Sequence, residues 1–313
     1  MGYNRGSAFM LYLMLFFLGY SLLLSLFIDP YYPPAVLSSP LFFIAQHGFI
    51  LLLPLCIWTL FHRERIKTWL PAAPLGKRNV ILIFFISIFL QPAMMLLSGL
   101  ASLFMPNPVT GLMQEMTARP LILLILAFAV SPAVFEEVVF RGYIQSAFRS
   151  YPIKTAALIN GFFFAAIHMN LHQFFYAFAM GMVFAYLVHY TKSIRAAVLA
   201  HFVMNASQIL MMRLAERLTA NAEEVYITFQ AQAAAIMQIG FVALLFTPCA
   251  VILYRVFKSH NNRRNISNEI NDVLKGSFEI HDDVLTEVNE KFDPYLIGVV
   301  VMFFLLAVLP IFS

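Results

Sequence analysis

Two adjacent carboxylates, Glu136 and Glu137, stand with Arg141 in the otherwise apolar stretch AFAVSPAVFEEVVFRGYIQSAF, Ala127 to Phe148. On a helix, Glu137 and Arg141 are four residues apart and face one another. Glu136 is turned about 100° from Glu137 and keeps no such partner. One carboxylate can thus be neutralised within the helix while the other stays free for proton transfer. Pro132 stands four residues before Glu136. It has no N–H to give the carbonyl of Phe128, so a kink that admits water near the carboxylates is expected there.

Two further helices offer groups of the same kind. With a turn at Tyr151–Pro152, Glu136 and His168 each lie sixteen residues from Pro152. At about 1.5 Å per residue, antiparallel neighbours bring the two to one depth. A Glu and a His at one depth make a plausible acid/base pair. In HFVMN, His201 and Asn205 share a helix face, and both can donate hydrogen bonds to a developing oxyanion.

The elements that must position these groups are membrane helices. The chain has 313 residues, of which 61% are hydrophobic and only 12% charged, against roughly 25% charged in a soluble domain. Mean hydropathy is +0.80. With repeated apolar runs near 20 residues, this describes an all-α, polytopic transmembrane helix bundle of eight or nine spans. The candidate spans are Ala8–Ile28, Leu41–Phe61, Val80–Phe104, Leu121–Phe148, Thr155–Met169, Gln173–Tyr190, Ile194–Met212, Ala233–Val256 and Tyr295–Ile311. The net charge of +4 sits in short loops, and no basic block is long enough to suggest nucleic-acid binding. Cys56 and Cys249 are too few for a disulfide framework or a cysteine zinc site.

Lys and Arg gather in alternate loops: Arg5, then Arg63 to Arg78, Arg149 with Lys154, Lys192 with Arg195, and Arg255 to Arg264. By the positive-inside rule the N terminus and these loops are cytoplasmic, and an active site opening beside Arg149 and Lys192 is expected. Three regions follow: N-terminal helices 1–114, a core 115–215, and C-terminal helices 216–313 with a polar cytoplasmic segment at 259–292. That segment is read as an amphipathic connector on the membrane surface.

An ionisable group inside a span is costly and is by default a candidate for function. Among these, His47 and His189, each taken alone, are read as structural histidines bonded to neighbouring helices. His168 and His172 have an i,i+4 spacing that suits a shared zinc ion, with Glu136, Glu137 or His201 completing the shell. There is no HExxH, and Asn205 is a poor zinc ligand but a good oxyanion donor, so a metal-independent site is favoured with zinc as the alternative.

In order and spacing, EEVVFR at Glu136–Arg141, FAAIH at Phe164–His168 and HFVMN at His201–Asn205 resemble the CPBP (Abi) family. These are the CaaX-protease and bacteriocin-processing intramembrane proteases, which include the type II CaaX prenyl endopeptidases. The resemblance covers roughly residues 115–215. It implies that Glu136 activates water with help from His168, that His201 and Asn205 stabilise the oxyanion, and that Glu137 and Arg141 support the site. It also implies an endopeptidase acting on a membrane-associated peptide or lipidated protein, in contact with membrane lipid. A multi-pass protein of a prokaryotic plasma membrane is expected. The competing readings are a non-proteolytic immunity or scaffold protein and a proton-coupled transporter, though no inverted repeat of the transporter kind is visible.

Overall fold

The structure, a computed structural model, describes residues 4–27, 39–105, 119–219, 229–274 and 293–308. Among these residues every regular element is helical, apart from an isolated antiparallel bridge between Ala72 and Ser193. Seven helices are long and apolar enough to cross a membrane. They are α1 (Arg5–Phe27), α2 (Pro40–Phe61), α3 (Lys77–Ser102), α4 (Leu121–Ala147), α6 (Leu171–Thr191), α7 (Ile194–Thr219) and α8 (Phe229–Leu274). Two shorter apolar helices, α5 (Ile153–Ala166) and α9 (Pro294–Val308), complete the set. Large apolar side chains such as Leu22, Leu23, Phe61 and Leu244 are exposed on the outside of the bundle. Water would penalise such a surface and lipid would not, so the chain is a multi-pass membrane protein.

Helix ends follow the local sequence. Ser39 caps α2 with its hydroxyl on the Phe42 N–H and Pro40 in the first turn. Asn170 caps α6 by accepting from the His172 N–H at 2.9 Å. Lys192 ends α6 in the left-handed conformation at φ 54°.

Two elements depart from the sequence expectation. The span expected at Thr155–Met169 is a helix of only 14 residues, about 21 Å long against a hydrocarbon core of about 30 Å. Met169, left-handed at φ 47°, and the Asn170 cap break the chain there, so His168 sits in a turn within the bundle. Helix α8 runs for 46 residues, well beyond the expected end at Val256. The part of the polar segment up to Leu274 therefore continues a helix, and residues 275–292 lie outside the described residues. A reciprocal amide pair, Asn79 with Asn261 at 2.9 and 3.0 Å, is buried between α3 and α8 and ties the two together.

The basic segments meet at one end of the bundle. Arg5 pairs with Glu64 at 2.8 Å, the Ala72–Ser193 bridge joins two basic loops, and Lys258 lies over the Tyr190 ring. The core of the bundle is the α5–α6 hairpin packed against α4 and α7.

Helices α5 and α6 approach through Gly161 and Gly181: a Cβ on Gly181 would lie 2.7 Å from the Gly161 Cα. Nothing but a hydrogen fits there. Gly181→Ala should cost about 1–3 kcal/mol through overpacking. Thermal unfolding in detergent should detect this as a lower midpoint. Gly19→Ala, with open space around it, should leave the midpoint where it was.

Candidate active site

The polar residues of the core are held by two irregular stretches of α4. The helix widens to π-helical geometry at Leu126–Val130 and again at Val138–Ile144. Such bulges free carbonyls and re-aim side chains. Pro132 cannot donate to the Phe128 carbonyl, and the Asn205 amide of α7 fills that place at 3.0 Å. In the second bulge the Phe140 carbonyl accepts from the Asn160 amide at 2.8 Å. Each irregularity in α4 is thus met by an asparagine from a neighbouring helix.

Glu137 and Arg141 are fully buried and bonded at 3.1 Å, the pair that their spacing predicts. Arg141 donates its other terminal nitrogen to the Gly181 carbonyl at 3.1 Å. Its guanidinium carbon stands 4.3 Å from the Phe164 ring centre and 5.2 Å from that of Phe184. The cation is therefore held by a carboxylate, a carbonyl and two aromatic faces, with no surface open to solvent. The oxygen of Glu137 that meets Arg141 also accepts from His201 Nδ1 at 2.8 Å. This link joins α4 to α7 and could not be read from the spacing within either helix.

Glu136 is turned away from that network and lines a cleft of about 740 Å³. His168, His201 and Asn205 line the same cleft, so the structure brings all four sequence-selected groups to one space. His168 Nδ1 lies 2.8 Å from the Phe164 carbonyl. A carbonyl only accepts, so Nδ1 carries the hydrogen and Nε2 of the neutral ring is left as the acceptor. The remaining wall is largely apolar, with Phe17, Phe43, Met94, Met95 and Ile239 among its residues. Outside α7, whose His201 and Asn205 lie in its first half, the cleft draws mainly on the parts of the helices furthest from the basic loops, including Ser102 and Phe128. Neither Arg149 nor Lys192 lines it. The sixteen residues between Glu136 and Pro152 amount to about 24 Å of helix, which puts the carboxylate far from that end.

His172 is not part of the group. The break at Met169–Asn170 ends the helix on which the i,i+4 spacing would apply, and His172 Nε2 bonds Ser102 instead at 2.8 Å. Among the described residues no three His, Cys, Asp or Glu side chains are grouped so as to hold a metal ion. The imidazoles of His168 and His201 are each already committed at Nδ1, to a carbonyl and to Glu137. Their Nε2 atoms stay open, as on a histidine whose other nitrogen is held by an outer partner, so of the alternative zinc set of Glu136, His168, His172 and His201 it is His172 that stands apart from the cleft.

The residue that sequence reasoning missed is His47. Its Nε2 lies 3.1 Å from Glu136 Oε1, although it stands on α2, nearly ninety residues away. A lone histidine carries no local signal of such a partner. Its only mark in the sequence is that it is ionisable within a span.

The Arg141 network yields a direct prediction. Arg141→Met leaves Glu137 buried with no full cation, at an expected cost of about 3–5 kcal/mol. The yield of folded protein and its unfolding midpoint in detergent should both fall. Arg141→Lys should recover part of the loss, because an ammonium can reach Glu137 but lacks the planar fork that also bonds Gly181.

Comparison with known proteins covers the same part of the chain. Residues 118–207 match the family model described as type II CAAX prenyl endopeptidase Rce1-like. A Bacillus subtilis (strain 168) protein named "Putative membrane peptidase YdiL" is 31% identical over 90 residues, which span 28% of this chain and 37% of that relative. The chain thus matches little more than a third of the relative's length. No solved structure matches. The matched stretch holds α4, the α5–α6 hairpin and the part of α7 that bears His201 and Asn205, so the likeness to the Rce1-like endopeptidases falls on the segment that supplies these polar groups of the cleft.

Proposed function

We propose that this chain is a membrane-embedded endopeptidase that hydrolyses a peptide bond in a membrane-associated peptide or lipidated protein. The observation that carries this reading is the division of labour between adjacent carboxylates. Glu137 is sealed against Arg141 and His201, whereas Glu136 lines the cleft beside His168. The membrane-peptidase name of the Bacillus relative and the Rce1-like match of the segment support it.

In the proposed mechanism Glu136 accepts a proton from a water as its oxygen attacks the scissile carbonyl carbon. His168 Nε2, with its lone pair turned from the Phe164 bond, orients that water. Negative charge moves to the carbonyl oxygen, which His201 and Asn205 stabilise. Asn205 uses one N–H on Phe128 and has a second for the substrate. His201 gives Nδ1–H to Glu137, so it is the doubly protonated ring whose Nε2–H would meet the oxyanion. As the C–N bond breaks, the proton on Glu136 passes to the leaving nitrogen. No metal takes part.

The proposed setting is the cell membrane of a prokaryote with the N terminus and the basic end in the cytoplasm. The cleft then lies in the outer half of the bilayer. Its apolar wall suits a lipid-associated substrate whose peptide part meets the four polar groups.

The test compares membrane-associated peptides from cells expressing the wild type or Glu136→Gln, with both proteins folded and equally abundant. A peptide trimmed only by the wild type is expected. On that peptide the purified variant should be slower by about 10²–10⁴-fold. Asn205→Ala should lose about 10²–10³-fold in kcat. A chelator should leave the wild-type rate unchanged, whereas loss of activity restored by zinc would overturn the metal-free mechanism. Identical peptide pools would return the immunity, scaffold and transporter readings to the front.

A further inference from the structure

The cleft contains one ionisable group more than this mechanism uses. His47, only 15% exposed, meets Glu136, itself 12% exposed, with Nε2 3.1 Å from Oε1. Its other ring nitrogen lies 3.4 Å from the Ser131 hydroxyl. Ser131 gives its own hydrogen to the Ala127 carbonyl at 3.0 Å, and because a carboxylate only accepts, it is His47 Nε2 that carries the hydrogen bonded to Oε1. The ring is therefore oriented from behind by α4 and bonded in front to the carboxylate of the same helix. Phe43 and Phe135 flank it, with ring centres 5.5 and 6.0 Å away.

The backbone is shaped for this approach. Gly48 follows His47, and a Cβ there would stand 3.3 Å from the Phe135 ring, tighter than an ordinary contact. Ser131 belongs to the stretch of α4 between the first π-bulge and Glu136, where Pro132 interrupts the hydrogen-bond ladder. A histidine that merely satisfied a core would need none of this. Helix α2 also lies outside the segment 118–207 that matches the family, so the match does not supply this residue.

We propose that His47 is a positioning residue for Glu136: it binds Oε1 and thereby presents Oε2 to the attacking water. Among the described residues no other side chain bonds Glu136. A glutamate with three free torsions would otherwise sample several rotamers in a cleft this size. With Oε1 held, the water proton goes to Oε2 and returns from Oε2 to the leaving nitrogen, while His47 keeps its bond throughout. The geometry also explains why Glu136 does not turn toward Arg141 and collapse into the neighbouring ion pair. The role rests on the endopeptidase reading, and the N-terminal helices then complete a site whose other groups come from the core.

The test uses the full chain purified in detergent and the peptide whose trimming depends on Glu136, presented in phosphatidylethanolamine–phosphatidylglycerol vesicles. His47→Phe keeps the ring volume and removes the bond. It should unfold within a few degrees of the wild type yet lose about 10–100-fold in kcat, the range typical of outer partners that orient a reacting group, with KM changed less than about twofold. His47→Gln, whose amide can still donate to Oε1, should recover part of the rate, and added imidazole should raise the rate of His47→Ala. A purely structural histidine would give neither rescue. Wild-type kcat in a stably folded His47→Phe would overturn the inference while leaving the endopeptidase reading intact. Losses that only track the amount of folded protein, with no rescue, would overturn it as well. If no peptide depends on Glu136, the endopeptidase reading fails first and the role of His47 falls with it.

Discussion

The buried ion pair between Glu137 and Arg141 is the constraint around which the core is organised. Two full charges with no exposure to solvent need opposite charges, dipoles or aromatic faces about them to offset their lost hydration. Four helices supply those groups: α4 the pair itself, α5 the Phe164 ring, α6 the Gly181 carbonyl and Phe184, and α7 the His201 ring. Their mutual placement is thereby fixed to within hydrogen-bond tolerance, which apolar packing in lipid would not achieve alone. The neighbouring residue, Glu136, inherits a rigid base while pointing the other way.

A regular helix could not serve as that base. The two π-bulges and Pro132 loosen α4 on both sides of the carboxylates; the Asn205 amide bonds the Phe128 carbonyl to which Pro132 cannot donate, and the Asn160 amide adds a second donor to the Phe140 carbonyl beside the Gln145 N–H. In lipid an unpaired carbonyl costs several kcal/mol, so the asparagines and the bulges are coupled features. Asn205 consequently has two tasks. It closes the backbone of α4 with one N–H and keeps the other beside His201 on the cleft wall. Substitutions there will mix structural and chemical effects unless folding is measured together with rate.

Much of this was legible in the sequence because it is local. The i,i+4 relation of Glu137 to Arg141, the reversal at Tyr151–Pro152 and the missing donor at Pro132 follow from helical periodicity and from proline chemistry. The nine apolar segments follow from run length, although α5 proved too short to span and α8 too long to end at Val256. Contacts between distant helices were not legible. His47 with Glu136 and His201 with Glu137 depend on helix rotation and crossing, for which one sequence offers no ruler. The i,i+4 spacing of His168 and His172 misled for a related reason: it assumes a continuous helix, and Met169 with Asn170 ends it. The depth of the cleft was not legible from the basic loops, because charge in loops reports topology, whereas depth is set by where along each helix the polar groups fall.

The central claim is that adjacent carboxylates have opposite jobs, Glu137 holding the fold and Glu136 serving the chemistry. The most direct measurement is thermal unfolding of Glu136→Gln and Glu137→Gln side by side in one detergent. Glu137→Gln removes the charge that offsets Arg141 and should lose about 3–5 kcal/mol, a fall of many degrees in midpoint. Glu136→Gln should unfold at or above the wild-type temperature, since a buried charge held for function is relieved and the amide can still bond His47. Equal midpoints, or the reverse order, would contradict the account, for Glu137 would then not be the structural carboxylate.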